Sequence, residues 1–174
     1  MSFYSLSPHA MLDYAMHRAR SELGYHDPRW SSLILAASTR TRRADSPIDR
    51  EVYRSAALEA IDGARSCSAI SKSQLDYEDI NIRVSYILRF EKDMKWIEAE
   101  ARNVAKIFLG SLKLDYEAVK KLIPTGPDRT PPETVGALYG IRGLLALLSG
   151  IAHLIPAEDK IEVDRWLAIS DEIK

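Results

Sequence analysis

His9, Asp13 and His17 are spaced four residues apart, so on a helix they share one face. Neutral imidazole with carboxylate is a metal-ligand set. The outer two stand about 12 Å apart along the axis, at ~1.5 Å per residue. Such a spread needs ligands from elsewhere, and His26 and His153 are the only other histidines. We therefore expect a solvated polar face, no bound metal and no cofactor. His26-Asp27 is the dipeptide that helical metal phosphohydrolases place inside a helix. Here Pro28 follows at once, which makes Asp27 a helix cap. Glu59-x-x-Asp62 has no upstream Glu-x-x-Glu to share a magnesium ion, and is read as a solvated helix face. The Glu-x-x-His pairs of di-metal bundles do not occur. Nor does a Gly-rich phosphate loop, a Gly-x-Ser-x-Gly elbow or a Cys-x-x-Cys pair. The single cysteine, Cys67, sits among Ala64, Ser66, Ser68 and Ala69 and is read as a small packing residue.

Two groups of residues are left to carry a function. Arg40, Arg42, Arg43, Arg50 and Arg54 form the densest basic run. Guanidinium forks match phosphates and carboxylates bidentately. Ser38, Thr39 and Thr41 add hydroxyl donors. The run flanks a turn at Ser46-Pro47, which is expected to expose Arg42, Arg43 and Arg50 on one surface. The competing reading assigns these cations to the helix dipole and to Asp45, Asp49 and Glu51.

The second group is Gly136, Gly140, Gly143 and Gly150, which form one stripe of a helix expected over 133–154. Glycine inside a helix costs ~0.8–1.0 kcal/mol relative to alanine. The expected compensation is close approach of another backbone, as small-residue stripes allow. The neighbour is either the 94–109 segment, with Ala101 and Ala105, or the same helix of a second subunit. A kink at Gly140 and Gly143 is the alternative.

Helix-start grammar supplies the elements that must position these groups. Ser7-Pro8, Asp27-Pro28 and Ser46-Pro47 each place proline at a first helical position. They predict helices to about Leu23, to about Arg43, and through Glu59 toward Ser71. Leu75 and Ile80 predict a hydrophobic staple across an Asp76 cap. The helix that follows is expected to reach Leu109 and stop at Gly110. Ile80, Ile82, Val84, Tyr86, Leu88 and Phe90 alternate with polar residues in a strand pattern. Helix is preferred, because no second segment offers a partner strand and a lone strand leaves its backbone unpaired. The tetrapeptide Leu-Asp-Tyr-Glu occurs at 75–78 and again at 114–117. Asp115 is expected to cap a short helix ending before Pro124. A loop at 124–132 then separates a C-terminal helical pair, divided at Pro156.

Composition agrees with a globular chain. The 174 residues are 46% hydrophobic and 28% charged, with a net charge of −1. These values are too apolar for disorder and supply no general attraction to nucleic acid or membranes. One cysteine fits a reducing compartment. The N-terminus shows no secretory pattern, so a cytoplasmic location is expected. The apolar run from Val135 to Ile155 is long enough to span a bilayer but carries Arg142 near its middle. It is read as a buried helix.

The expectation is an all-α protein: one domain over 1–174, an irregular bundle of six or seven helices. The function expected is a non-enzymatic protein–protein interaction or regulatory module. It would act through a helical surface, with a protein partner or as a homo-oligomer, and without a membrane. Nucleic-acid or polyanion binding through Arg40 to Arg54 is the alternative. A helical metal-dependent hydrolase using His9, Asp13 and His17 is the second.

Overall fold

The structure is a computed structural model, and it describes residues 16–18, 21, 29, 36–37, 39–40, 46–65, 70–89, 93–125 and 130–173. Among them the chain is all-α and forms no strand. It divides into two compact units, Met1–Tyr86 and Ile87–Lys174. The first two expected helices lie largely outside the described residues, as do His9, Asp13, His26, Asp27 and Cys67.

Helix α1 spans Pro47–Ala64. Pro47 takes the first position, where its missing N–H costs nothing. Ser46 accepts the first turn's bond, from the Arg50 amide at 3.0 Å. Helix α2 spans Lys72–Arg89. In the first unit Tyr53, Ala57, Ala60, Ile61 and Ala64 of α1 form one apolar cluster with Leu75 and Ile82 of α2 and with Met16 and Ala37. Burying an Ile or Leu side chain here contributes ~1.5–3 kcal/mol.

Helix α2 resolves the strand-like alternation of 80–90. Leu75, Asp79, Ile82 and Tyr86 form one buried stripe, and Asp76, Ile80, Val84 and Ile87 form another. Each stripe follows the i+3/i+4 spacing of a helix. Interleaved, the two produce an apolar residue at nearly every second position. A helix buried on two sides thus imitates the period of a strand.

The Asp76 cap is a correction. Helix α2 begins earlier, where Ser71 Oγ accepts the Gln74 amide at 3.2 Å. Asp76 therefore lies inside the helix, 2% exposed. The expected continuous helix to Leu109 is corrected as well. Asp93 caps a new helix, α3, Met94–Ser111, by accepting the Trp96 amide at 3.0 Å. Gly110 is not its stop but its penultimate residue, and Ser111 Oγ returns to the Phe108 carbonyl at 2.7 Å.

In the second unit, helix α4 spans Tyr116–Leu122, capped as expected by Asp115, which accepts the Ala118 amide at 2.8 Å. A 3-10 turn at Ile123–Thr125 follows; residues 126–129 of the expected loop lie outside the described residues. Helix α5 spans Pro132–Ser149, and helix α6 spans Ala157–Leu167. Helix α3 packs on both α5 and α6. The last expected helix, to about Ile173, instead closes as a 3-10 turn at Ser170–Glu172. Phe108 of α3 meets Trp166 of α6 edge to face at 6.4 Å, and Tyr116 meets Trp166 edge to face at 5.3 Å. Arg165 lies 3.8 Å above the Tyr116 ring and binds Glu117 at 2.7 Å.

The span 133–154 is the third correction. Helix α5 ends at Ser149, and a 3-10 turn occupies Ala152–Leu154. Pro156 forces Ile155 into an extended conformation. The turn at 150–151 lets the chain fold back and bury both Ile151 and Ile155. No helix among the described residues is long and apolar enough to cross a membrane.

Candidate functional site

The buried side of helix α5 consists of Leu138, Ile141, Leu144, Leu145 and Leu148. The opposite side carries Gly136, Tyr139, Gly140, Arg142, Ala146 and Ser149, all exposed. Among the described residues, a Cβ built on Gly136 or on Gly140 meets nothing within 4 Å. The helix 94–111, one of the two expected neighbours, therefore does not lie on these glycines. Gly143 is half-buried. Gly150 is no longer part of the stripe: it is the C-cap residue, in an ordinary right-handed conformation. A Cβ there would stand 3.3 Å from Leu88 Cδ1, so a side chain rather than a backbone uses its missing atom. The exposed face presents bare backbone at Gly136 and Gly140, and Tyr139 (54% exposed) and Arg142 are exposed on the same helix.

Of the arginine cluster, the structure describes Arg40, Arg50 and Arg54. Arg42 and Arg43 lie outside the described residues. Arg40 and Arg50 are half-buried. Arg54 turns inward, its side chain only 11% exposed, 5.1 Å over the Tyr86 ring and 3.7 Å from Glu51. Tyr86 donates its hydroxyl hydrogen to Glu51 Oε2 at 2.5 Å. Burial pushes the Tyr86 hydroxyl pKa up to about 12; the Glu51 bond and charge add to the rise, while Arg54 and Arg50 oppose it. The described part of the cluster is thus organised in part around a tyrosine–glutamate pair.

One charged constellation among the described residues escaped the sequence reading. Arg65, just beyond α1, donates to Asp76 Oδ1 at 2.7 Å and to Asp79 Oδ2 at 2.9 Å. Lys72 binds the other Asp76 oxygen at 2.5 Å, and Arg83 Nε binds the other Asp79 oxygen at 2.6 Å. Burial works against the Arg65 charge, but its bonds to Asp76 and Asp79 and their charges outweigh it, so its pKa is raised. All four carboxylate oxygens accept from cations. The arrangement ties the end of α1 to α2. Its signal was present in the i, i+4 spacings Lys72–Asp76 and Asp79–Arg83.

Glu59 and Asp62 are both exposed, and Asp62 lies 3.9 Å from Arg65. His17 is exposed. Among the described residues, no three His, Cys, Asp or Glu side chains are grouped to hold a metal ion. Compared with models of protein families, with curated proteins and with solved structures, the chain shows no match.

Proposed function

We propose that the protein is an interaction module, and that its docking surface is the face of helix α5 carrying Gly136, Tyr139, Gly140 and Ala146. The occupant is a helix, from a protein partner or from a second copy of the chain.

One observation carries this reading. Gly136 and Gly140 stand inside a helix with open space where a Cβ would be. Alanine would fit at both without a clash. Each glycine nevertheless forgoes ~0.8–1.0 kcal/mol of helix stability. Among the described residues of the helix's own unit, nothing packs against these two positions to account for that sacrifice. An incoming backbone does, because small residues let two helix axes approach closely and glycine presents the least bulk. The flanking residues suit the role, since Tyr and Arg are enriched at the energetic centres of interfaces.

The test is Gly136→Leu combined with Gly140→Leu in the full chain. Both side chains enter open space, so the fold tolerates them. Molar mass in solution is measured by light scattering, and partners are recovered by affinity purification from native extract. The expected result is loss of self-association, or of a specific partner, with an unchanged circular dichroism spectrum. Equal mass and an equal set of recovered proteins for wild type and variant would remove the proposal.

A further inference from the structure

We draw no further inference here: the strongest candidate, the open face of helix α5 around Gly136, Tyr139 and Gly140, is a small-residue stripe belonging to the surface already described, and nothing in the structure shows what covers it.

Discussion

Tyr86 donates to Glu51 across 2.5 Å, joining residues 35 apart in the chain and binding the first turns of helix α1 to the last turns of α2. The pair makes stability depend on alkaline pH. The Tyr86 pKa is raised from 10.0 to about 12 in the folded chain, chiefly by burial. The folded state therefore favours the protonated phenol. Its contribution is fully present below pH 10 and is lost as pH rises through about 12. Urea denaturation at pH 8 and at pH 11 reads the effect. Wild type is expected to lose more stability over this interval than Tyr86→Phe. Equal losses would show that Tyr86 titrates as freely folded as unfolded.

Arg65 answers two buried carboxylates, Asp76 at 2% exposure and Asp79 at 4%. Removing one partner of a buried ion pair costs ~3–5 kcal/mol, because the other charge is left uncompensated. Lys72 and Arg83 remain to share the load, so Arg65→Ala is expected to cost about 3 kcal/mol, near the lower end of that range. Lys72 has a side chain 68% exposed. Lys72→Ala should therefore cost ~0–1 kcal/mol, as exposed pairs do. Denaturant midpoints of the two variants decide the ranking. Comparable losses would mean that Arg65 acts no more strongly than a surface cation.

What the sequence could and could not convey is visible in one tetrapeptide. Leu-Asp-Tyr-Glu at 114–117 begins a helix, and Asp115 caps it. The same letters at 75–78 lie inside a helix, with Asp76 buried in an ion-pair network. Local grammar is identical, so it cannot distinguish them. The difference comes from Ser71, which caps four residues before Leu75, and from Arg65 on another element. The proline-led start at Ser46-Pro47 was legible because proline fixes its own backbone, and Pro47 opens a helix. Helix ends were not. Gly110 and Ser149 are read correctly only once the burial of Phe108, Ile151 and Ile155 is known. The glycine stripe was legible as a pattern, but its openness at Gly136 and Gly140 depends on which side of α5 the leucines fill. The inward turn of Arg54 depends on Tyr86, far along the chain, and composition carries no trace of it.

The two copies of the tetrapeptide make a paired prediction. Asp115→Ala removes a cap at an exposed helix end and should cost ~1 kcal/mol. Asp76→Ala leaves one bond of Arg65 and the bond of Lys72 unmade within a part-buried network, and hydrogen bonds to charged groups contribute ~1.5–3 kcal/mol each. Thermal unfolding should thus rank Asp76→Ala as the more damaging substitution. The opposite order would place the structural weight on the caps rather than on the buried charges.

The last prediction separates the stability of helix α5 from its use. Gly136 and Gly140 are exposed, and a Cβ at either touches nothing within 4 Å among the described residues. Replacing them with alanine adds no clash. It narrows the conformations open to the unfolded chain and raises helix propensity, by ~0.8–1.0 kcal/mol per site. The double variant Gly136→Ala, Gly140→Ala should therefore unfold at a higher denaturant concentration than wild type, with the same m-value. Two added methyl groups nevertheless hold a second helix away from the backbone strip. Association through this face should weaken in the same variant that gains stability. A surface that is merely solvated gives the first effect without the second. A surface already filled by the chain itself gives neither, because the new methyls would strain the packing and lower the midpoint. Denaturation midpoint and solution mass, measured on one preparation, distinguish the three outcomes.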